Sequence, residues 1–351
     1  MKGYAELFRQ VREDHEKANS GLDKDSKVLI IDGLNSFIRV FSAVPLVNDD
    51  GDHIGGYVGF LRSIAASIRQ FKPTRCIIVF DGKGGSARRK KMHSGYKDGR
   101  TMSTRFNRRE DVGDQTLEDE LASMKMQMGK LSEYLQCLPI TIMSIDNIEA
   151  DDAIAYLTTD VFRPKGSEVI IMSDDKDFIQ LVDEKTSVWR PVEKKYYTPK
   201  EVVEKFGVPS HNFIHYKVFM GDNSDNIKGI KGIGIKTLQA KLPQLLGSET
   251  ISLEEVLDYC KANKDSDRIY KLITESETQM KLNWDLMSLE DLDISGHFKL
   301  LILDMANREI PKLDTFNFKK LFMRDKAYTA IPNVDSWITS SFNSLTAYSQ
   351  K

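Results

Sequence analysis

Acidic residues recur directly after aliphatic runs in the first half of the chain. The runs VLIID (28–32) and CIIVFD (76–81) each end in aspartate. MSDDKDF (172–178) follows the run EVII and carries three aspartates in four positions, and ITIMSID (140–146) is followed closely by EADD (149–152). Carboxylates gathered in one place repel one another and are costly to bury. The pattern therefore predicts that bound cations compensate their charge.

The available ligand types indicate which cation this would be. The six histidines show no metal-ligand spacing, and the three cysteines form no CxxC pair. Cys76 and Cys137 adjoin apolar runs, so we interpret them as buried thiols of a reducing compartment. Carboxylate oxygens without His or Cys suit Mg²⁺ or Mn²⁺ better than zinc. Taken alone, Glu149 and Asp151 are also consistent with capping of a helix N-terminus.

Hydrophobic patterning predicts the elements that must position these acids. The four aliphatic runs are typical of buried strands, and helix-like stretches such as residues 56–71 and 149–162 separate them. Near-continuous aliphatic strands that alternate with helices favour a parallel sheet covered on both faces. Ligands of such sheets bind outside the carboxyl ends of the strands. The acids are thus expected at one edge of one sheet.

Basic residues are segregated along the chain although the total charge is nearly balanced. The 50 Lys and Arg and 52 Asp and Glu residues give a formal net charge of −2. Residues 83–109 nevertheless contain ten Lys or Arg and a single acid, Asp98. Such a segment either forms a solvated basic face or attracts phosphates. The charged N-terminus lacks a signal-peptide pattern, and no apolar run has membrane-spanning length.

A glycine-rich turn in the second half of the chain is another candidate phosphate contact. Residues 207–242 are typical of a helix, an acidic loop, a glycine hairpin and a second helix, and the hairpin has the sequence GIKGIGIKT (229–237). Glycines let backbone N–H groups approach a phosphate, and the dipole of the following helix favours an anion. Lys228, Lys231 and Lys236 around the turn strengthen the prediction of contact with a nucleic-acid backbone.

Together these motifs resemble the 5′ nuclease family, which includes flap endonucleases, phage 5′–3′ exonucleases and the 5′ nuclease domain of bacterial DNA polymerase I. The resemblance runs from about Lys27 to about Leu242. MGDNSDNIKGIKGIGIKT (220–237) is similar to the family's MGDSSDNIPGVPGIGEKT, and VFDG, YKDGR, EADD and DKD occur in the family's order. The chain downstream, with KLITESE and a helical C-terminus, most resembles the RNase H of T-even phages, which is a 5′ nuclease.

The resemblance implies an architecture. The expected fold is α/β, with a mostly parallel central sheet and flanking helices, a helical arch, a helix–three-turn–helix DNA-binding element and a helical C-terminal region. Residues 1–26 would be an N-terminal extension, and a PIN-like nuclease core would span 27–200 with the arch at about 84–125. Residues 201–284 would form the DNA-binding region and residues 285–351 the C-terminal helical region.

The resemblance also implies roles for individual residues. The family's metal-binding acidic positions fall on Asp32, Asp81, Glu149, Asp151, Asp152, Asp175, Asp177, Asp222 and Asp225. The first five would serve one ion and the last four another. Lys97 and Arg100 match the catalytic lysine and arginine at the base of the arch, where cations stabilise the charge of the reacting phosphate. The expected DNA contacts are Arg89, Tyr96, Lys228, Gly229, Lys231, Gly232, Gly234, Lys236 and Thr237. For Tyr96, stacking on a base and plain packing are equally consistent with the sequence.

The reaction implied by the resemblance is phosphodiester hydrolysis with two Mg²⁺ ions, for which Mn²⁺ can substitute. K⁺ at the 229–237 hairpin is a further candidate ion. The expected enzyme is a structure-specific 5′ nuclease that cleaves at 5′ ends and 5′ flaps and removes RNA primers in phage DNA replication. The alternatives are a purely exonucleolytic 5′–3′ exonuclease, a non-catalytic DNA-binding subunit and a PIN-type RNase.

Partners follow from the same resemblance. We expect DNA and RNA–DNA hybrids with a single-stranded 5′ end as substrates, and a single-stranded-DNA-binding protein as a partner of the C-terminal region. The expected protein is a monomer without a membrane partner. Its expected location is the cytoplasm, which is that of the host if a phage encodes the chain.

Overall fold

A six-stranded sheet lies at the centre of the protein, for which a computed structural model describes residues 23–98, 116–290 and 294–349. The strands are β1 (Lys27–Asp32), β2 (Arg75–Asp81), β3 (Thr141–Ile145), β4 (Glu168–Met172), β5 (Thr186–Arg190) and β6 (Lys195–Tyr197). They lie in the order β3-β2-β1-β4-β5-β6, and all neighbours are parallel except the antiparallel pair β5–β6. The prediction of a mostly parallel sheet is therefore confirmed.

Strand β1 shows why the aliphatic runs form a sheet that is covered on both faces. Successive side chains of a strand point to opposite faces. Leu29 and Ile31 belong to the first hydrophobic core, on one face, and Val28 and Ile30 belong to the second core, on the other. All four side chains are fully buried. A strand with polar residues on one face could not occupy this central position.

Helices cover both faces of the sheet. The α-helices of the described residues are α1 (Gly33–Ala43), α2 (Gly55–Phe71), α3 (Ala87–Met92), α4 (Leu117–Leu135), α5 (Ala150–Tyr156), α6 (Pro199–Phe206), α7 (Phe213–Met220), α8 (Ile235–Lys241), α9 (Leu253–Ala262), α10 (Arg268–Glu275), α11 (Glu277–Met287), α12 (Gly296–Asn307), α13 (Thr315–Arg324) and α14 (Val334–Thr346). Helices α1, α2, α4, α13 and α14 contribute to the first core, and α5, α6 and α12 contribute to the second. None of the described helices is long and apolar enough to cross a membrane.

A third core holds together the helices that follow the sheet. Residues of α7 to α11 bury their apolar side chains there, together with Tyr96. A short antiparallel pair, β7 (Gly221–Asp222) and β8 (Ile227–Lys228), connects α7 to the glycine-rich turn before α8. This order of helix, acidic loop, glycine hairpin and helix agrees with the predicted one.

Only the two ends of the predicted arch are described. Helix α3 and the start of α4 flank it, whereas residues 99–115, including Arg100, lie outside the described residues. Most of the predicted N-terminal extension, residues 1–22, lies outside them as well. The C-terminal region is helical, as predicted. Helix α12 packs against β3, whereas α13 packs against α4 and α14 against α2.

The order of the strands creates a crevice at the carboxyl edge of the sheet. Strand β1 pairs with β2 on one side and with β4 on the other, so the chain leaves the ends of β1 and β4 in different directions. Ligands of open α/β sheets bind at this kind of switch point. Asp32 ends β1 and Asp175 follows β4 by three residues, so both lie at this crevice.

Candidate active site

A cavity of about 820 Å³ opens at the carboxyl ends of the strands. Five of the nine predicted metal-binding acids line it, namely Asp32, Asp81, Asp151, Asp175 and Asp222. They come from four separate stretches of the sheet domain and from the loop after α7. The cavity is also lined by Lys97 and Lys217, so cations and carboxylates share one concave surface.

Backbone and hydroxyl donors fix the acids at the ends of β1 and β2. Asp32 caps α1, since one carboxylate oxygen accepts from the Asn35 backbone N–H at 3.1 Å. Its other oxygen accepts from Ser173 Oγ at 2.9 Å. Asp81 accepts from the backbone N–H of Ala150 at 2.8 Å, which ties the end of β2 to the first turn of α5. Each of these two acids therefore both anchors a helix and lines the cavity.

Arg89 is a buried cation that holds two further acids. Its guanidinium donates to Glu149 Oε2 at 2.9 Å and to both Asp152 oxygens, at 2.6 and 3.1 Å, and it also donates to the carbonyl of Leu286 at 2.9 Å. Burial lowers the pKa of Arg89, but the attraction of Asp152 and Glu149 outweighs this and raises it. Only 3% of Arg89 is exposed. This position differs from the DNA contact predicted for Arg89, because a guanidinium paired with two buried acids is not presented to a phosphate.

Glu149 joins Arg89 to Tyr96 and Lys97. Glu149 is the residue before α5, yet its side chain makes no capping hydrogen bond, so capping does not explain it. Its Oε2 accepts from the Tyr96 hydroxyl at 3.2 Å and from Lys97 Nζ at 3.1 Å. Tyr96 is only 2% exposed and packs in the third core, which is the packing alternative rather than the stacking one.

Lys217 is a second buried cation, and sequence reasoning missed it. It projects from α7 and pairs with Asp177 and Asp222, while only 3% of the residue is exposed. Burial lowers the pKa of Lys217, but the two carboxylates outweigh this and raise it. Burial would also raise the pKa of Asp222, yet Lys217 and hydrogen bonds from Ser224 lower it to about 2. A lysine within the otherwise apolar helix FIHYKVFM was the available signal.

Burial and mutual repulsion raise the pKa of three acids, Asp32, Asp151 and Asp177. Burial raises the pKa of Asp32 to about 7, and repulsion from Asp175 and Asp81 adds to this. Burial followed by repulsion from Asp175 and Asp32 raises the pKa of Asp151 as well. The pKa of Asp177 also rises to about 7, because its burial outweighs the attraction of Lys217. The protein thus holds carboxylates together against their mutual repulsion.

The chemistry of this donor set fits hard divalent cations. The donors are carboxylate oxygens, and Glu149 Oε1 is buried without a hydrogen-bond partner among the described residues. The acids are nevertheless spread out. Within residues 23–98, 116–290 and 294–349, no group of three or more Asp, Glu, His or Cys side chains is already arranged so that it could hold a metal ion. Arg89 and Lys217 engage four of the acids, so ion binding would require the carboxylates to draw together.

The predicted DNA contacts of the glycine hairpin lie on its surface. Lys228, Lys231 and Lys236 are exposed. Gly232 has φ +91°, which side-chain-bearing residues rarely adopt. Gly229 leaves no room for a side chain, since a Cβ there would lie 2.3 Å from the carbonyl oxygen of Met220. The remaining predicted contacts of this turn are Gly234, which is exposed, and Thr237, which is half-buried.

The last predicted acid, Asp225, contacts the base of the arch through its backbone. Its carbonyl accepts from the Lys97 backbone N–H at 3.0 Å.

Asp174, which lies off the predicted pattern, accepts from the Val192 backbone N–H at 3.0 Å and lies 3.7 Å from the guanidinium of Arg39. Asp174 is thus fixed by neighbours on α1 and after β5.

Comparisons with known proteins identify the family of the chain. Residues 27–207 match the family model of the 5′–3′ exonuclease N-terminal resolvase-like domain. A 5′–3′ exonuclease of Aquifex aeolicus is 32% identical over 209 residues, which cover 59% of this chain and 66% of that protein. The thermostable DNA polymerase I of Thermus filiformis is 31% identical over 276 residues, which cover 78% of this chain but 30% of the polymerase. The chain therefore spans just under two thirds of the exonuclease and less than a third of the polymerase.

Solved structures share the fold at low sequence identity. The bacteriophage T5 D15 flap endonuclease, solved in complex with DNA and metal ions, superposes with a TM-score of 0.59 at 19% identity, covering 86% of this chain and 99% of that one. Human GEN1, solved with Holliday junction DNA, gives a TM-score of 0.52 at 14% identity, covering 91% and 71% of the two chains. The family match extends over more than half of the chain. The protein is therefore a member of the 5′–3′ exonuclease family of hydrolases.

Proposed function

We propose that the protein is a structure-specific 5′ nuclease that hydrolyses phosphodiester bonds at the 5′ ends and 5′ flaps of DNA. The observation that carries this proposal is the cavity in which five of the predicted acids, from five chain segments, lie beside Lys97. The resemblance of the C-terminal part to the RNase H of T-even phages supports a role in removing RNA primers during phage DNA replication.

Two divalent ions, Mg²⁺ or Mn²⁺, are the proposed cofactors. Asp32, Asp81 and Asp151 would hold one ion, and Asp175 and Asp222 the other, with Glu149, Asp152, Asp177 and Asp225 completing the set. Ions bound there supply positive charge to the reacting phosphate and its leaving oxygen. The raised pKa values of Asp32 and Asp151 support this site, because bound cations would offset both the burial and the mutual repulsion that raise them.

The basic residues of the chain position the substrate in this proposal. Lys97 Nζ lies 3.1 Å from Glu149 at the cavity wall, where it can donate to a phosphate oxygen and stabilise its developing charge. Arg100 would act beside it. The exposed Lys228, Lys231 and Lys236 would bind the phosphate backbone of the duplex and fix its register.

The proposal includes the remaining expected ligands and partners. The substrates are DNA and RNA–DNA hybrids with a single-stranded 5′ end. K⁺ would bind at the 229–237 hairpin, and a single-stranded-DNA-binding protein would bind the C-terminal region of a monomer. Cytoplasmic location, in a phage-infected host, is part of the same proposal.

Cleavage of a labelled 5′-flap duplex in Mg²⁺ tests this function. The label should leave as the intact flap plus a short extension, and a 5′-recessed duplex with an RNA primer should be shortened from its 5′ end. Asp81→Asn should abolish both cleavages and leave DNA affinity unchanged or higher, because loss of a negative charge reduces repulsion of phosphate. Release of mononucleotides alone would indicate a pure exonuclease. Absence of cleavage in wild type with intact DNA binding would indicate a DNA-binding subunit.

A further inference from the structure

Two loops from distant parts of the chain meet beside the cavity. One is the base of the arch, residues 93–97, and the other is the loop between β7 and β8. The Asn226 side-chain amide donates to the Gly95 carbonyl at 2.9 Å, and His93 Nε2 lies 3.3 Å from the Asn226 carbonyl oxygen. The backbone N–H of Lys97 donates to the Asp225 carbonyl at 3.0 Å. Three polar contacts therefore join the two loops.

Two of the contacting residues, Lys97 and Asn226, have left-handed backbone conformations. Lys97 has φ +58° and Asn226 has φ +59°. Asparagine tolerates this left-handed region, whereas lysine enters it less readily. Lys97 therefore needs contacts that hold its backbone in place, and the loop carrying Asn226 supplies them. In this conformation the Lys97 side chain reaches Glu149 and lines the cavity.

The second loop continues directly into the proposed DNA-binding surface. Asn226 precedes β8, which leads through Lys228 into the 229–237 hairpin. Asn226 therefore lies between the hairpin that would bind phosphates and the base of the arch that carries Lys97.

We propose that Asn226 is a positioning residue for Lys97 and that, from the loop leading into the glycine hairpin, it holds this lysine at the cavity. The inference rests on the proposed nuclease function, since it concerns how Lys97 takes part in that reaction. Asn226 itself would not touch the reacting phosphate.

Single-turnover cleavage of a 5′-flap duplex by Asn226→Gly tests the proposal. Glycine tolerates φ +59° and keeps the backbone carbonyl, so the substitution removes little besides the amide that donates to Gly95. The cleavage rate should fall about 3- to 10-fold, the loss expected for one hydrogen bond. The dissociation constant for the same DNA, measured without divalent ions, should change less than about twofold, because no phosphate contact is lost.

The Lys97→Ala background distinguishes positioning from a general structural role. If Asn226 acts through Lys97, adding Asn226→Gly to Lys97→Ala should not slow cleavage further. If Asn226 merely supports the fold, the two losses should multiply. Multiplying losses would overturn the proposal.

Gly95 provides an independent approach to the same contact. A Cβ at Gly95 would lie 2.9 Å from Asn226 Nδ2, so Gly95→Ala should displace the amide and slow cleavage. Once the amide is gone, the nearest atom to the methyl group is His93 Nε2 at 3.3 Å, so a small shift of this ring accommodates it. The double variant with Asn226→Gly should therefore be no slower than Asn226→Gly alone.

Asn333→Gly is the matched control, because Asn333 also has a positive φ, of +52°, and lies at the start of α14. Its cleavage rate should equal that of wild type. Wild-type rates in Asn226→Gly would overturn the positioning role and leave the nuclease function standing. A wild-type protein that binds flap DNA but fails to cleave it would instead remove the nuclease function on which the inference depends.

Discussion

At the scale of single residues, the buried cations Lys217 and Arg89 partly compensate the negative charge of four acids. Bound ions would compensate the charge of the other acids. Arg89 holds Glu149 and Asp152 through a buried guanidinium. Lys217 lies between Asp177 and Asp222. Removing one partner of a buried ion pair is more harmful than removing a surface charge, because the remaining charge loses both water and its partner.

Lys217→Met should therefore destabilise the metal-free protein. The expected loss in free energy of unfolding is about 3 kcal/mol, near the lower end for a broken buried pair, since Asp177 and Asp222 retain some exposure. Urea unfolding in EDTA measures it. Lys200→Met is the matched control, since the exposed Lys200–Glu204 pair at 3.8 Å should contribute less than about 1 kcal/mol. Equal effects of the two substitutions would mean that Lys217 is not a required counter-charge.

The raised pKa values of Asp32 and Asp177 predict a pH dependence of stability. Both carboxyls have a pKa of about 7 in the folded protein against 3.8 as the ordinary value, so the folded state binds protons more tightly. The stabilisation from these groups is present at low pH and is lost as the pH rises through 7. Burial lowers the pKa of His215 to about 4. This group has the opposite effect on stability, but only as the pH falls below its ordinary pKa of 6.5.

Metal-free protein should accordingly be about 1–3 kcal/mol less stable at pH 8 than at pH 6.5. Urea titrations at the two pH values measure the difference. Mg²⁺ should reduce it, because bound cations favour the ionised carboxylates. The Asp32→Asn variant should show a smaller pH dependence of stability, because the contribution of Asp32 is removed. If the stability of the metal-free protein stays constant or rises between pH 6.5 and pH 8, then ionising the two acids costs no free energy of folding.

At the scale of elements, the glycine hairpin and the base of the arch have separable tasks. Lys231 is exposed on the hairpin, whereas Lys97 lies at the cavity wall. A lysine that contacts only backbone phosphate contributes to affinity, and a lysine at the reacting phosphate contributes to the rate.

Lys231→Ala should weaken binding of flap DNA and lower the slope of log affinity against log salt by about 1, with little effect on the single-turnover rate. Lys97→Ala should slow the chemical step about 100-fold or more and change affinity little. Fluorescence anisotropy across a salt series and rapid-quench cleavage measure the two quantities. Similar changes in rate for both variants would show that the two roles are assigned wrongly.

The elements also show how far the sequence allowed prediction. Aliphatic runs such as VLIID predicted the strands, and the rule for parallel sheets predicted that Asp32, Asp81 and Asp175 would meet at one edge. The pairing of Arg89 with Asp152 was not predictable, because it depends on how α3 packs against α5 and α11. A basic run gives no indication that one of its members is buried. Lys217 lies in no basic run, and its pairing was missed because it depends on how α7 packs against the residues after β4.

At the scale of the whole molecule, the C-terminal helices complete the first core. Phe318 on α13 is fully buried and its ring lies 5.0 Å from that of Tyr134 on α4, measured between centroids. Phe316 lies on the same helix and is 73% exposed. The C-terminal region is thus part of the nuclease core and not an appended domain.

Phe318→Ala should lower the free energy of unfolding by about 3–5 kcal/mol, because it leaves a cavity in the core. Phe316→Ala should change it by less than about 0.5 kcal/mol. Thermal and urea unfolding of both variants measure the contrast. A small effect of Phe318→Ala would mean that α13 packs only loosely on α4. Loss of flap cleavage in Phe316→Ala without loss of stability would instead point to a partner or substrate at this surface.

This closure of the first core has a consequence for biosynthesis. Helix α2 packs against α14, where Arg69 donates to Ser341, so its surface is fully covered only after α14 has been made. More than 250 residues separate them along the chain, so translation needs on the order of ten seconds or more to supply the missing helix. During that interval the growing chain exposes an uncovered apolar face. Nascent chains stalled before α13 should therefore recruit chaperones or aggregate, and release of the stall should relieve both.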